Sequence, residues 1–101
     1  MRRLTTRSSW MDFRDTLARR ESFTTSGALR GVERPEYVTL GQLPREWHTS
    51  ALAAVYVVYS YRTPIAWLTR TGVWVMPDTR YSVTTSRHQG RIATAISQLG
   101  E

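Results

Sequence analysis

The segment Val55-Tyr56-Val57-Val58-Tyr59-Ser60-Tyr61-Arg62-Thr63-Pro64-Ile65-Ala66-Trp67-Leu68 decides the fold of this chain of 101 residues. Its first half is β-branched or aromatic at almost every position, which predicts a strand covered on both faces. Arg62-Thr63-Pro64 predicts a turn. Residues 65–69 predict the next strand. Pro64 directly precedes it, which fits the rule that proline is tolerated only at the beginning of a strand. We therefore expect a β-hairpin whose first strand is the centre of the sheet.

The chain after this hairpin predicts up to two more strands. Arg70-Thr71-Gly72 is typical of a three-residue hairpin loop with glycine at a position of positive φ. Residues 73–76 then return antiparallel, and Pro77-Asp78 turns the chain again. Residues 81–83 are the candidate for a short fourth strand. The sequence thus predicts a small antiparallel meander of three to four strands.

Helices are predicted on both sides of the meander. Ser9 and Asp12 have the spacing of a capping box at the start of a helix that runs to about Glu21. Thr84-Thr85-Ser86 predicts the cap of a second helix, which Gly100 ends. Its core side would carry His88, Ile92, Ala95, Ile96 and Leu99, and its opposite side Arg87, Arg91, Thr94 and Gln98.

The remaining chain completes an α+β prediction in which the N-terminal and C-terminal helices pack on one face of the meander. Residues 22–42 are expected to be mostly loop, with Thr24-Thr25-Ser26 as a turn or cap. Pro44 predicts the first residue of a short helix to about Thr49. Residues 1–8 are expected to form a mobile basic arm in front of a single domain over residues 9–101.

Composition excludes several classes of protein. With no cysteine, the chain has no disulfide scaffold, thiolate zinc site, iron–sulfur cluster or cysteine nucleophile. It has two histidines, and its acids are never spaced for metal ligation, so we expect no metal, no cofactor and no enzyme activity. The longest apolar run, residues 51–59, is far below the roughly 18 to 20 residues that span a bilayer. We expect a cytoplasmic protein with no membrane partner.

Positive charge is the strongest compositional bias. All fourteen basic residues are arginine, there is no lysine or asparagine, and eight acids leave a net charge of +6. A GC-rich genome explains arginine in place of lysine, but it does not explain the excess of positive over negative charge. Guanidinium groups bind phosphate in a bidentate manner, so a polyanion partner is expected, either nucleic acid or an acidic protein.

The start of the C-terminal helix holds the candidate site. Hydroxyl side chains at a helix start and two arginines one turn apart can hold phosphate, and the intervening side chains can contact bases. The candidate residues are Thr84, Thr85, Ser86, Arg87, His88, Gln89 and Arg91. In the alternative interpretation the hydroxyl groups only cap the helix. The aromatic residues Tyr56, Tyr59, Tyr61 and Trp67 either stack on bases or, as we favour, fill the core.

Three stretches carry a family resemblance: residues 59–67, Gly72-Val73-Trp74-Val75, and Tyr81-Ser82-Val83-Thr84-Thr85-Ser86-Arg87-His88-Gln89. Over residues 55–95 the chain resembles a widespread set of small phage and plasmid proteins, common in actinobacteriophages and described as a domain of unknown function. The Tyr-Ser-x-Thr-Thr-Ser-x-His-Gln string is the specific part. The resemblance implies a phage-encoded accessory protein and supplies no activity, catalytic residue or cofactor.

Three functions remain open at the level of sequence. The first is a non-catalytic module that binds nucleic acid through the helix start, aided by Arg2, Arg3 and Arg7. The second is a host-takeover or assembly protein that binds an acidic bacterial or phage protein. The third is a metal-free ribonuclease with His88 as acid or base, Tyr81 assisting, and Arg87 or Arg91 on the scissile phosphate. We favour a binding module, with nucleic acid and protein equally open as its partner.

Overall fold

The predicted hairpin lies in the middle of a mixed sheet in the computed structural model, which describes residues 2–5, 8–25 and 27–99. Within these residues six strands are hydrogen-bonded in chain order. They are β1 Arg2–Arg3, β2 Phe23–Thr24, β3 Leu29–Glu33, β4 Tyr56–Ser60, β5 Thr63–Leu68 and β6 Trp74–Val75. Only β1 and β2 pair in parallel, and the other neighbours are antiparallel. The α+β prediction is correct, but the sheet has more strands than the three or four expected.

Every residue of β4 and β5 is buried, because separate layers cover the two faces of the sheet. One face packs Tyr56, Val58 and Leu68 against two helices, α1 (Trp10–Ala18) and α3 (Val83–Ser97). The other face packs Val57, Tyr59 and Trp67 under a 3₁₀ turn (Arg45–Trp47), α2 (His48–Leu52) and the chain before them. The prediction of a central strand covered on both sides is therefore confirmed.

The Ser9 cap predicted for α1 is confirmed, whereas the cap predicted at Thr84-Thr85-Ser86 is wrong, because α3 begins at Val83 and Ser82 is its cap. The Ser9 side chain accepts the backbone N–H of Asp12 at 3.3 Å, and α1 buries Phe13 and Leu17. It ends in a Schellman motif, in which Glu21 N–H bonds the carbonyl of Thr16 and Arg20 has a φ of 52°. The core side predicted for the second helix is correct: in α3, His88, Ile92 and Ala95 are buried and Arg87 and Arg91 are exposed.

Residues 22–42 are mostly loop, as predicted, but they contain β2 and β3, which the sequence did not indicate. β2 has only two residues and Gly31 interrupts the apolar pattern of β3, so neither strand is evident in the sequence. Gly31 lies where a Cβ would overlap the Tyr56 hydroxyl and the Phe23 ring, so its place in a strand is set by a long-range contact. Thr25 Oγ1 donates to the Leu29 carbonyl and accepts from Gly27 N–H, which holds the turn of the hairpin.

Three smaller predictions are also corrected. Residues 81–83 are not a strand, because the Ser82 side chain caps α3, which begins at Val83. The short helical segment after Pro44 lies on the face of the sheet opposite α1 and α3. Within the predicted arm, Arg2–Arg3 pair with β2 and Leu4 is buried, whereas Thr6 and Arg7 lie outside the described residues.

Candidate functional site

The seven candidate residues all lie on α3, but they do not form one surface. The hydroxyl of Thr85 and the ring of His88 are buried. Gln89 Nε2 donates to the Thr79 carbonyl at 2.9 Å, which anchors the segment before the helix. Thr84, Ser86, Arg87 and Arg91 are exposed. The structure thus divides the predicted site into an internal polar part and an external part dominated by arginine.

The internal part is a chain of four polar side chains beneath the start of α3. Ser82 Oγ accepts the backbone N–H of Thr85 and donates to Thr85 Oγ1, both at 3.1 Å. Thr85 Oγ1 lies 3.1 Å from Ser60 Oγ, and Ser60 Oγ lies 2.8 Å from His88 Nδ1. Ser60 is the last residue of β4, so the network ties the helix cap to the central strand.

One proton order gives each of these hydroxyl groups an acceptor within the chain. Because Ser82 donates to Thr85, the Thr85 proton goes to Ser60 and the Ser60 proton goes to His88 Nδ1. A neutral imidazole that accepts at Nδ1 carries its proton at Nε2. Burial, and after it the positive charge of Arg91, lowers the pKa of His88, which favours this neutral form. In this proton order His88 is a donor at Nε2.

The external part is the arginine ridge, which we define as Arg87 and Arg91, one turn apart on α3. Neither guanidinium lies within ion-pair distance of a carboxylate in the part of the chain that the structure describes. Arg91 Nη1 donates to the Ser8 carbonyl at 3.3 Å, which leaves most of its donors for other partners. The ridge therefore presents two positive charges that the described fold does not neutralise.

A groove lies on each side of the arginine ridge, and both arginines line both grooves. The Tyr61 groove, about 380 Å³, is formed by Tyr61, Gly27, Ala28 and the α3 residues Thr84 and His88. The Trp10 groove, about 560 Å³, is formed by Ser8, Ser9, Trp10 and the α3 residues Gly90 and Thr94. Neither groove has an acidic residue among its described lining residues. The ridge is thus the shared wall of two basic grooves.

Comparison with known proteins gives the chain a family. The model of a family of unknown function, DUF8033, matches residues 5–98. The chain belongs to this family. Searches of the curated proteins and of the solved structures find no match. The expected membership of an uncharacterised family is confirmed, and it extends beyond the residues on which the resemblance was based.

The structure of this DUF8033 member also brings in residues that sequence reasoning did not place at the site. The sequence predicts Ser60 and Tyr61 in the central strand, with Tyr61 favoured as a core residue, and its apolar spacing predicts Trp10 in the apolar stripe of α1. Tyr61 lies in the turn after β4, directly before the Arg-Thr-Pro sequence, which is the one local signal that it leaves the sheet. Trp10 is the first residue of α1, and its side chain is not among those that the helix buries. No described helix is long and apolar enough to cross a bilayer.

Proposed function

We propose that this DUF8033 member is a phage-encoded accessory protein that binds nucleic acid, without catalysis, at the arginine ridge. The observation that supports the proposal is the pair of exposed guanidinium groups of Arg87 and Arg91, which no described carboxylate neutralises. Among the described arginines only Arg2 and Arg14 form ion pairs, so what distinguishes Arg87 and Arg91 is that they lie one turn apart and line the same two grooves. Two arginines that remain unpaired and share both grooves fit a ligand that brings its own negative charge.

In this proposal the phosphate contacts are not made by the hydroxyl groups at the helix start, as the sequence suggested. The Thr85 hydroxyl is used inside the fold, and the Ser82 hydroxyl satisfies the Thr85 amide. The guanidinium groups therefore carry the phosphate contacts, with the His88 Nε2–H as a further donor at the Tyr61 groove. These contacts position a nucleic acid backbone and carry no sequence preference of their own.

The proton order in the internal network supports a non-enzymatic function. In the proton order given above, the His88 Nδ1 lone pair accepts from the buried Ser60 and Nε2 holds the proton, so neither ring nitrogen is free to accept a proton from a substrate. Tyr81, the expected assistant, does not line the Tyr61 groove. If labelled RNA is cleaved by the wild type and not by His88→Ala, the non-enzymatic proposal is wrong.

The decisive experiment measures the salt dependence of binding to a fluorescein-labelled oligonucleotide by anisotropy. The double variant Arg87→Ala/Arg91→Ala removes the ridge. Its matched control is Arg45→Ala/Arg70→Ala, which removes the same charge from the 3₁₀ turn and the β5–β6 turn. We expect the ridge variant to lower the slope of log affinity against log salt by roughly 1.4 to 1.8, at about 0.7 to 0.9 per lost phosphate contact.

The control variant should retain the slope of the wild type. Equal slopes for the ridge variant and the control would contradict the proposal, as would wild-type binding that does not respond to salt. Thermal melts of both variants serve as the control that the fold is intact.

An acidic protein is the second candidate partner, because the ridge is flanked by the exposed aromatic residues Trp10 and Tyr61. Tryptophan, tyrosine and arginine are the residue types enriched in protein–protein hot spots. Capture of a host or phage protein on the immobilised wild-type chain, resistant to nuclease and lost with the ridge variant, would favour this candidate over nucleic acid.

A further inference from the structure

Two exposed aromatic side chains lie beside the arginine ridge, one in each groove. Tyr61 is 57% exposed and Trp10 is 41% exposed. Because both grooves share Arg87 and Arg91, the order across this surface is Tyr61, arginine ridge, Trp10. Aromatic rings on either side of a strip of positive charge are the arrangement with which proteins bind single-stranded nucleic acid.

Tyr61 occupies a backbone conformation that disfavours its own side chain. Its φ is 59°, in the left-handed region where glycine is favoured, and its backbone N–H donates to the Ala28 carbonyl at 3.1 Å. Its side chain has no hydrogen bond, ring contact or cation–π contact with the described residues. A strained position that keeps an exposed ring without an internal partner fits a ring whose partner is a ligand.

The Trp10 groove has a similar feature in Gly90. This residue lies in the interior of α3, where glycine weakens a helix relative to alanine. Apart from its chain neighbours and the backbone of its own helix, a Cβ at Gly90 would meet nothing within 4 Å, so no tertiary contact requires glycine there. Because Gly90 has no side chain, a ligand has room to approach the helix backbone between Trp10 and the arginine ridge.

Resting on the proposed function, we infer that the ligand is single-stranded nucleic acid that crosses α3. Arg87 and Arg91 hold its phosphates, one base stacks on Tyr61, and another base stacks on the open face of Trp10. A duplex cannot make these contacts, because the faces of its bases are already stacked on one another. A single strand exposes every base, and stacking on aromatic residues tolerates any sequence.

The test compares two labelled DNA probes in the same buffer: a thymidine 12-mer and a hairpin duplex of 12 base pairs. We expect the wild type to bind the single strand at least ten-fold more tightly than the duplex. Tyr61→Ala and Trp10→Ala should each weaken single-strand binding about ten-fold, within the range of about five- to 150-fold that removal of one stacked base implies. Tyr61→Phe and Trp10→Phe keep a ring and should bind within about two-fold of the wild type.

Tyr37→Ala is the matched control, because Tyr37 is 80% exposed and lies beside Tyr59 on the other face of the sheet. This control should leave binding unchanged. Gly90→Ala should weaken single-strand binding while raising the melting temperature, a combination that general damage to the fold does not produce. A Tyr61→Ala effect no larger than that of Tyr37→Ala would overturn the inference.

The results also separate this inference from the proposed function. If the duplex binds as tightly as the single strand, and binding still depends on salt and on the ridge, the single-strand inference fails and the proposed function stands. If neither probe binds, both fail.

Discussion

Tyr59 lies in β4 and Tyr61 lies two residues later, in the turn that follows the strand, and their side chains have opposite environments. Tyr59 is buried, the Arg30 guanidinium lies 4.2 Å from its ring centroid, and its hydroxyl accepts the Thr39 N–H at 3.3 Å. Tyr61 is exposed beside Arg87 and Arg91 and has no such partner among the described residues. Arginine and tyrosine therefore stabilise the fold where a covering layer reaches them, and they remain available to a ligand where it does not.

The largest expected effect is a difference in the free energy of unfolding between alanine variants of these two tyrosines. Tyr59→Ala should lower the free energy of unfolding by about 3 to 5 kcal/mol, because it empties a buried ring volume and leaves Arg30 without its stacking partner. Tyr61→Ala should change it by less than about 0.5 kcal/mol. Urea denaturation followed by tryptophan fluorescence measures both values. Similar losses for the two variants would remove the distinction.

Ser60, between the two tyrosines, should give a smaller loss. Ser60→Ala removes the partner of His88 Nδ1 and of Thr85 Oγ1, and a buried polar group without a partner costs about 1 to 3 kcal/mol. Ser86→Ala, at an exposed position of α3, is the control and should cost less than about 0.5 kcal/mol. Comparable urea midpoints for the two variants would show that the internal network does not stabilise the fold.

The same network predicts a dependence of stability on pH. Burial and Arg91 lower the pKa of His88 in the folded chain below its ordinary value of 6.5, so the unfolded chain binds a proton first. The contribution of His88 to the free energy of unfolding should be fully present above pH 6.5 and should be lost as the pH falls below that value. A proton on Nδ1 would leave no lone pair to accept the Ser60 hydroxyl proton. The melting temperature of the wild type should drop between pH 7.5 and 5, and His88→Gln should show a smaller drop. Parallel curves for the two proteins would contradict this.

The smallest expected effect concerns the backbone of Tyr61. Tyr61→Gly relieves the left-handed strain at φ 59° and should raise the free energy of unfolding by about 0.4 to 1 kcal/mol. Arg20→Gly, in the Schellman motif of α1, should give a gain of similar size. Gly72→Ala, at φ 85°, is the opposite change and should destabilise. A lower free energy of unfolding in Tyr61→Gly would mean that the Tyr61 ring packs on the fold, which would contradict the contrast drawn between Tyr59 and Tyr61.

Local pattern was sufficient for the elements that are long or strongly patterned. The continuous β-branched and aromatic run predicted β4, and the capping residue and apolar spacing predicted α1 and the buried side of α3. Pattern failed for β2, which has only two residues, and for β3, whose Gly31 is required by close contact with Tyr56, 25 residues further along the chain. It also failed for β1, because a parallel pairing of two residues leaves no periodicity to detect.

The candidate site divides in the same way. The spacing of Arg87 and Arg91 fixed their common exposed side, since residues four apart lie one turn apart on a helix. The sequence could not indicate that Thr85 and His88 are joined internally to Ser60, because that contact spans 28 residues from Ser60 to His88. Nor could it indicate that Trp10 and Tyr61 lie on either side of the ridge.

By itself, then, the sequence determined the α+β class, the central hairpin, the two helices and the surplus of positive charge, since each follows from residues that are close together in the chain. Only the tertiary structure decided which hydroxyl groups and arginines the fold uses internally and which it leaves exposed. The physical reason is that hydrogen bonds and burial are settled between elements far apart in sequence, where no local pattern records the partner.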